Sequence, residues 1–592
     1  MRRGGRSLLR AVALEWIPGR RLVRKTPRAT LAADARAGLN VALLAFPQSI
    51  AYSLIAGLPP LHGLVSSGLG AVVGPFFSGA RFVVFGPTNA TAILLLTGLA
   101  ASGLPEQSRA AALPLFVLMV GFFLVLGALA RASLLINYIS RTVVTGYVTA
   151  AAALIFVNQI QNALGFRVGG VSTFLGIVVG TVRRLPETHL PELAMSLGAM
   201  AVLLGVRRWA PRAPDVAVTL MVMVAVGVGF RYVGWDISYL GSFSLGELGL
   251  VGATFDFQLM GQLAVPALAL AFVSVLEGTS IGKTLASRAG QRLDVNQEMY
   301  AMGVANVACA FGGGMNASGS LTRSVLADSS GARSPLATVF SGVFVLLMVV
   351  FLGFFIGYIP RAALAVVVMG IAVSLFNRRN LRMALRTTRS DTIVFFVTCG
   401  AALLLTIDAA IYLGAFTSII LFLRKAGTPE LVEYNFNQEG QLAQLDDTAK
   451  RTVPGISILH AEGDLFFGST DIFAAQTREV IRDPSLQVII LRLKNARNLD
   501  ATAAAAIEEL HDFLAKGGRH LIVSGADREV TRVMRNAGLI TKLGEANFFR
   551  EDPVNPTLST RNALKRATEV LGRRDAEIRI FVDSSKKSRA EE

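Results

Sequence analysis

Two stretches, GPTNAT at residues 86–91 and GGGMNASGSLTRS at residues 312–324, interrupt otherwise apolar sequence and decide the fold. Unpaired backbone cannot face lipid, so such breaks are tolerated only where they line a cavity or are buried in protein. A half-helix that begins at a break points its free N–H groups and positive dipole end into the membrane, where they can hold an anion. Paired breaks in comparable places of two halves indicate the binding site of a transporter.

The composition is that of a polytopic membrane protein. Of the 592 residues, 53% are hydrophobic and 16% are charged, whereas soluble domains carry about 25% charged residues. Apolar segments of about 20 residues, long enough to cross a bilayer, recur from near residue 37 to residue 424. Cys309 and Cys399 both lie within apolar runs, which argues against a disulfide framework.

The basic residues indicate a membrane topology rather than binding to nucleic acid, although the formal net charge is +17. Nine Arg and Lys residues crowd residues 1–28, where Glu15 is the single acid. Further basic groups fall in alternate loops, around Arg207, Lys283 and residues 378–389. This positive-inside pattern places the N-terminus in the cytoplasm, and residues 7–17 are predicted to form a basic amphipathic helix on anionic lipid.

Fourteen membrane spans are predicted, in two sets of seven. The first set is 37–56, 61–79, 88–100, 112–130, 134–160, 190–206 and 213–230; the second is 262–282, 297–311, 321–329, 335–357, 360–376, 391–406 and 409–424. The third member of each set is a short, broken helix. An odd number of spans per repeat makes the second repeat enter from the opposite side, so the repeats are inverted. The even total leaves both termini in the cytoplasm.

From about residue 430 the chain has the charged composition of a soluble domain. Strands are predicted at 455–460, 488–493 and 520–523, and amphipathic helices at 470–482, 501–516 and 527–537. This alternation predicts a small α/β domain with mostly parallel neighbouring strands. No phosphate loop, zinc spacing or catalytic triad occurs in it, so neither an enzyme nor a cofactor is predicted.

The predicted domain boundaries follow from these changes in composition. They are a basic cytoplasmic N-terminus at 1–33, a transmembrane transport domain at 34–425, a linker at 426–450, the α/β domain at 451–570 and a charged, disordered tail at 571–592.

Polar residues inside the spans are the candidates for a site. Gln48 and Tyr52 are four residues apart on one helix face, where they either line the cavity beside the broken helices or bond helix to helix; the cavity is favoured. Glu277 lies in the apolar run VSVLEGTSIG, and an intramembrane carboxylate is a functional candidate that can bind a proton or sodium. Arg323 follows the second break and either attracts an anion or forms a structural ion pair, for example with Glu277.

Several segments of the chain resemble the sulfate permease (SulP) family of anion transporters. The segments that carry the resemblance are PQSIAY at 47–52, GLPP at 57–60, GPT at 86–88, NQEM at 296–299 and GSLTRS at 319–324. The C-terminal domain, with LDATAA at 499–504, resembles the family's STAS domain (sulfate transporter and anti-sigma factor antagonist). The resemblance covers nearly the whole chain.

The resemblance implies a fold of seven plus seven inverted spans divided into a core domain and a gate domain, elevator-like alternating access and a homodimer. It also implies an anion site, carried over position by position. Its members are Gln48, Tyr52, Thr88, Asn89, Ala90, Ser320, Leu321, Thr322 and Arg323.

Three positions depart from the family's pattern. Some members place an aromatic residue where this chain has Thr88, so a more polar pocket is expected. Sodium-coupled bicarbonate members have Asp and Thr four apart in the eighth span, where this chain has Glu277 and Ile281; proton coupling through Glu277 is therefore favoured over sodium. Single-domain STAS proteins carry a phosphorylatable serine where this chain has Ala501, which argues against a kinase switch.

The predicted function is secondary active transport of an inorganic anion across the inner (plasma) membrane, with the N-terminus and STAS domain in the cytoplasm. Sulfate, bicarbonate, chloride and dicarboxylates remain open as substrates, and H⁺ or Na⁺ as the coupling ion. The expected partners are a small anion, membrane lipid and a second copy of the chain. Two alternatives are a nucleobase permease of the same architecture and a membrane sensor that signals through its STAS domain.

Overall fold

The fold divides into two units, Met1–Ile419 and Ile420–Glu592, in a computed structural model of the chain. The structure describes residues 14–18, 28–80, 83–105, 108–133, 140–166, 168, 174–210, 215–232, 234–240, 251–252, 255–288, 290, 293–405, 407–436, 442–445, 451, 453, 455–555 and 557–572. The predicted disorder of the tail at 571–592 falls almost wholly outside these residues.

The described part of the chain up to residue 426 forms sixteen helices. They are α1 Arg28–Ile55, α2 Pro60–Phe77, α3 Asn89–Ala101, α4 Arg109–Leu129, α5 Arg141–Leu164, α6 Phe174–Arg183, α7 Leu190–Trp209, α8 Asp215–Tyr232, α9 Phe257–Arg288, α10 Val295–Phe311, α11 Leu321–Ser329, α12 Leu336–Ile356, α13 Arg361–Leu375, α14 Arg378–Arg386, α15 Arg389–Leu404 and α16 Ile407–Ala426. Each predicted span corresponds to one of them, so the polytopic helical fold is confirmed. The sequence did not predict α6 and α14, which are short.

The two broken helices are too short to cross a bilayer. Among the described residues, ten helices are long and apolar enough to do so. In contrast, α3 has 13 residues and α11 has 9. At 1.5 Å per residue they extend about 20 Å and about 14 Å, against a hydrocarbon thickness of about 30 Å. Each is therefore a half-helix, as the breaks in sequence predicted.

A two-stranded antiparallel ladder joins the two breaks. Strand β1 (Phe85–Gly86) precedes α3 and strand β2 (Ser318–Gly319) precedes α11; Phe85 pairs with Gly319, and Gly86 with Ser318. Both strands are buried. Because the two half-helices begin directly after paired strands, the ladder brings their N-terminal ends to one place.

The membrane helices pack as two groups. One group contains α1–α4 and α9–α12, in which α4 packs on α10, and α1 and α2 pack on α12. The other is built on α5 and α7, which both pack on α13, with α8 and α15 beside them. The groups meet where α8 and α13 contact α1, and where α5 contacts α3. The half-helices belong to the first group and lie near this boundary.

The predicted N-terminal amphipathic helix at 7–17 is not supported where the structure describes it. Residues 7–13 lie outside the described part, and residues 14–18 are not helical. The N–H of Glu15 donates to Oε1 of Gln297 (3.0 Å), and Nε2 of Gln297 donates to the Glu15 carbonyl (2.9 Å). Two bonds to one amide side chain engage the N–H and carbonyl of Glu15, which competes with the local bonds that a helix needs.

The second unit is the predicted α/β domain. Its strands are β3 Glu430–Phe436, β4 Leu442–Gln444, β5 Ile456–Asp464, β6 Val488–Arg497, β7 His520–Ala526 and β8 Phe548–Arg550. Its α-helices are α17 Thr470–Ile481, α18 Ala501–Lys516, α19 Arg528–Asn536, α20 Leu539–Leu543 and α21 Leu558–Val570. The sheet order is β4-β3-β5-β6-β7-β8, and the four strands from β5 to β8 are parallel neighbours.

Two strands of this sheet lie in the stretch 426–450 that the sequence interpretation treated as a linker. Strand β3 pairs antiparallel with both β4 and β5, so the sheet begins at Glu430. The described side chains of β3 from Leu431 to Tyr434 are only partly buried. A half-buried strand near a sheet edge carries polar residues, which explains why its composition resembles that of a linker.

A buried histidine joins strands β5 and β6 to the last helix of this unit. His460 is 1% exposed and packs beside the guanidinium of Arg492, whose Nη1 lies 3.3 Å from each ring nitrogen. Nε of Arg492 donates to Oγ1 of Thr560 in α21 (3.0 Å). Burial, and then the charge of Arg492, hold the pKa of His460 below its ordinary value of 6.5, although Glu462 acts in the opposite direction.

Acidification should therefore loosen this unit. The unfolded chain takes up the His460 proton more readily, so the stability that neutral His460 contributes is fully present above about pH 6.5 and is lost as the pH falls through the lowered folded-state pKa. Hydrogen exchange of the full chain, corrected for intrinsic rates, should show weaker protection of β5 and α21 in acid. His460→Gln should reduce this pH dependence, whereas His520→Gln, at an exposed position, should not. Equal protection of β5 and α21 in the wild type at neutral and at acidic pH would refute this pH dependence.

Candidate functional site

Two buried side chains of α10 hold the segments that lead into strands β1 and β2. Glu298 accepts a bond from Oγ of Ser78 (2.8 Å) and from the N–H groups of Gly79 and Ala80 (both 2.8 Å). Asn306 donates to the carbonyl of Ala317 (2.7 Å) and accepts from its N–H (2.9 Å). Leaving such buried groups without partners costs about 1–3 kcal/mol each. One helix thus fixes the approach to both half-helices.

Cross-links between the breaks complete this frame. The N–H of Ser320 donates to the carbonyl of Val84 (3.0 Å), and the N–H of Val84 donates to Oγ of Ser324 (2.9 Å). These bonds tie the first turn of α11 to the strand that precedes α3. The two N-termini are therefore held by the backbone ladder together with bonds from buried side chains.

The two half-helix N-termini differ in their caps. Thr88 caps α3 through a reciprocal pair of bonds with Thr91. Ser320 precedes α11 and its side chain makes no capping bond. The first turn of a helix leaves N–H groups without intrahelical partners, so the start of α11 offers donors that no side chain of the helix cap occupies. Leu321 and Thr322 are exposed there. The donors that they offer are their backbone N–H groups rather than their side chains.

Glu277 is joined to the first half-helix. Oγ1 of Thr88 donates to Oε2 of Glu277 (2.9 Å), and the carboxylate is partly buried. Thr88 and Glu277 are 189 residues apart in sequence. The structure thus places a carboxylate of α9 directly at the capping residue of α3.

Arg323 is fully buried and does not pair with Glu277 in the structure. Its Nη1 donates to Oγ of Ser67 (3.0 Å) and its Nη2 donates to the carbonyl of Pro87, while its Nε has no partner among the described residues. It is 0% exposed. The ion pair that the sequence left open as an alternative is therefore absent, because the guanidinium is directed to the backbone just before Thr88. Its charge therefore lies beside Pro87, directly before the capping residue of α3.

Of the predicted residues of α1, Tyr52 lies near these groups, and Asn89 and Ala90 form the first turn of α3. Tyr52 is 6% exposed and lies within electrostatic range of both Arg323 and Glu277. Gln48 and Asn89 are partly exposed, and each buries its side-chain oxygen without a hydrogen-bond partner. The amide nitrogen is then the polar part of each side chain that can meet an anion. Ala90 is buried and contributes backbone only.

Three residues of the site were missed by the sequence interpretation. Ser67 in α2 binds Arg323, and Asn306 in α10 holds Ala317. Tyr147 in α5 is fully buried and lies within electrostatic range of Glu277, and in the part of the chain that the structure describes its hydroxyl has no hydrogen-bond partner. A serine or an amide in a helix gives no local signal of such partners. A tyrosine within an otherwise apolar span does give a signal, of the kind that drew attention to Tyr52.

The arrangement is suited to binding negative charge. Two helix dipoles, a set of backbone N–H groups and one buried cation converge, and a carboxylate stands at their edge. Helix N-termini stabilise an anion by about 0.3–1 kcal/mol each when exposed and by up to about 2 kcal/mol when partly buried. Among the described residues, no cluster of His, Cys, Asp and Glu that could hold a metal ion occurs.

Comparisons with known proteins match both units of the chain. The profile described as the sulfate permease family matches residues 31–398, and that of the STAS domain matches residues 447–558. A Mycobacterium tuberculosis protein named as a probable sulfate transporter is 27% identical over 91% of this chain and 97% of its own length. Human solute carrier family 26 member 6 is 26% identical over 78% of this chain and 63% of its own length.

Solved structures share the fold. Murine solute carrier 26 family member A9 is 18% identical, with a TM-score of 0.85 and coverage of 95% of both chains. The transmembrane domain of the cyanobacterial bicarbonate transporter BicA is 18% identical, with a TM-score of 0.57 and coverage of 67% of this chain and 98% of its own.

Proposed function

Because this chain belongs to the sulfate permease family of anion transporters, we propose that it is a secondary active transporter that binds an inorganic anion between the N-termini of α3 and α11. The observation that carries this proposal is the β1–β2 ladder, which brings both N-termini together inside the membrane unit. The proposed ligands are the backbone N–H groups at 88–90 and 320–323, with Gln48 and Tyr52 beside them.

Arg323 acts in this proposal by its charge rather than as a direct ligand. Its donors are directed to Ser67 and Pro87, and it is fully buried. Two unit charges about 7 Å apart at an effective dielectric constant of about 20 interact by about 2 kcal/mol, which is roughly thirtyfold in affinity. This favours an anion over the neutral nucleobase of the alternative permease.

Transport is proposed to proceed by an elevator movement of the group α1–α4 and α9–α12 against the group built on α5, α7 and α13. The two groups pack internally and meet at few helices, as expected if one slides as a body along the other. The remaining features, which are the plasma membrane, cytoplasmic termini and a homodimer, are proposed from the family and from the distribution of basic residues.

Uptake of labelled anions into proteoliposomes tests the function. Sulfate, bicarbonate, chloride and a dicarboxylate should be offered separately and in competition, with uracil as the nucleobase control. Saturable uptake of at least one anion, blocked by the others and unaffected by uracil, is expected. Uptake of uracil alone would favour the nucleobase permease, and no uptake of any solute by a well-folded protein would favour the sensor.

Replacing Glu277 by glutamine should abolish acceleration of uptake by an inward pH gradient. The carboxylate receives one hydrogen bond, from Thr88, and desolvation disfavours its charged form. A proton bound there would travel with the anion and offset part of its charge. Glutamine accepts the same bond from Thr88 but binds no proton, so basal anion binding should survive.

The control for this prediction is Glu192→Gln. Glu192 is also a buried carboxylate, 3% exposed, but it accepts a bond from the N–H of Ser238 in the other helix group. Its pH response should equal that of the wild type. Wild-type uptake that ignores the pH gradient, or that requires sodium absolutely, would reject proton coupling through Glu277.

A further inference from the structure

Helix α14 carries a concentrated positive charge that the transport site does not use. Arg378, Arg382 and Arg386 are four residues apart and share one helix face, and Arg379 lies beside them; all four are exposed. Among the described residues, no carboxylate forms an ion pair with any of the four. The sequence interpretation had assigned these residues to a loop.

The helix is held close to the membrane at both ends. Only two residues separate it from α13 and two from α15. Its first turn is capped by Asn377, which accepts bonds from the N–H groups of Arg379 and Asn380 (both 3.1 Å). Near its other end, Oγ1 of Thr392 in α15 donates to the carbonyl of Ala384 (3.3 Å). With such short joints to two spans, α14 has to lie at the membrane surface.

Apolar side chains accompany the arginines. Phe376 is 40% exposed, Met383 51% and Leu385 37%, whereas Ala384 is buried against the protein. A short helix with exposed apolar groups and a row of arginines is typical of helices that lie in the interface of a bilayer. In water these apolar groups would be unfavourable, and the four like charges would repel one another.

We propose that α14 is an interfacial helix that binds the headgroups of anionic phospholipids. Arginine suits phosphate because its planar guanidinium donates two parallel hydrogen bonds. The partner is a lipid rather than free phosphate because the arginines share a nine-residue helix with the exposed Met383 and Leu385, with exposed Phe376 just before it, beside two membrane spans. A lipid supplies both a phosphate and acyl chains, and free phosphate supplies only the first.

Energy transfer between α14 and labelled lipids tests the proposal in the full chain. A donor fluorophore at Asn380→Cys, with Cys399→Ser, is combined with acceptor-labelled phosphatidylglycerol or phosphatidylcholine in bilayers of phosphatidylcholine. Phosphatidylglycerol should be enriched around α14 about tenfold, given the attraction of each cation near an anionic surface. Glutamine at all four arginines should remove the enrichment, and lysine at all four should retain most of it.

Two further arms identify the source of the phosphate and the specificity of the helix. Inorganic phosphate, compared with chloride at equal ionic strength, should leave the enrichment unchanged; displacement by phosphate would overturn the lipid assignment. Gln at Arg208, Arg424 and Lys425, which are exposed cations at the ends of other helices, should have little effect. Equal transfer to both lipids in the wild type, or persistent enrichment in the four-Gln variant, would refute the proposal.

Discussion

Replacing Gly319 by valine should abolish anion uptake while the protein remains folded. A Cβ atom at this position would lie 3.1 Å from Cα of Gly278 and 3.5 Å from the side chain of Val83. The first of these neighbours is backbone, which cannot rotate away. The two γ-methyl groups of valine would then displace β2 and occupy space beside the start of α11, where the anion is proposed to bind. Proteoliposome uptake and equilibrium anion binding should both be lost.

Two variants show whether the loss is local. Gly319→Ala adds only the crowded Cβ and should retain a reduced rate. Gly400→Val lies in α15, where nothing stands within 4 Å of the added Cβ, so uptake should remain near the wild-type rate. Thermal unfolding in detergent should be similar for all three variants. Normal uptake by Gly319→Val would show that the anion does not bind beside strands β1 and β2.

Replacing Arg323 by alanine should reduce uptake by more than tenfold, and lysine should restore part of it. Alanine removes the buried charge, worth about 2 kcal/mol to a nearby anion at an effective dielectric constant of about 20, and leaves the carbonyl of Pro87 without its donor. Lysine keeps the charge, but one ammonium group replaces a fork whose two nitrogens reach different partners, Ser67 and Pro87.

Ser67→Ala separates charge from geometry in this experiment. It removes one of the two bonds to Arg323 and leaves the guanidinium in place, so affinity for the anion should fall only a fewfold. Anion affinity and melting temperature should be measured together for each variant. Uptake by Arg323→Ala at the wild-type rate would show that Arg323 has only a structural role. A lowered melting temperature of Arg323→Lys would show that its main role is to bond Ser67 and Pro87 at the same time.

Local sequence predicted the half-helices because glycine and proline have local effects. The segments at 86–91 and 312–324 interrupt apolar runs, and no other arrangement of unpaired backbone is compatible with a bilayer. The parallel strands were equally evident, since β5, β6 and β7 are buried, apolar and of strand length. In both cases a few consecutive residues determine the outcome.

The partners within the site could not be predicted from local pattern. Thr88 and Glu277 are 189 residues apart, and Arg323 and Ser67 are 256 apart. Such contacts depend on how helices pack, which periodicity does not encode. The sequence left open an ion pair between Arg323 and Glu277. In the structure the carbonyl of Pro87 and the hydroxyl of Ser67 accept hydrogen bonds from the guanidinium instead.

Short amphipathic elements were missed for a different reason. The helix α14 is rich in arginine, and only two residues separate it from the preceding membrane span. Its charge therefore made it resemble a connecting loop. Strand β3 has the same difficulty, because Glu430 and Glu433 stand among its apolar, partly buried residues. Elements that lie at an interface or a sheet edge have mixed composition, and only their neighbours distinguish them from loops.

Direct observation of a bound anion tests the central claim best. The substrate identified by uptake should be replaced by an electron-rich analogue, such as selenate for sulfate or bromide for chloride, and its position located by anomalous diffraction or in a cryo-EM map. The account predicts density between the starts of α3 and α11, within hydrogen-bond reach of the N–H groups near Thr88 and Ser320, and none in Gly319→Val. Density elsewhere in the membrane unit, with this space empty at saturating anion, would contradict it.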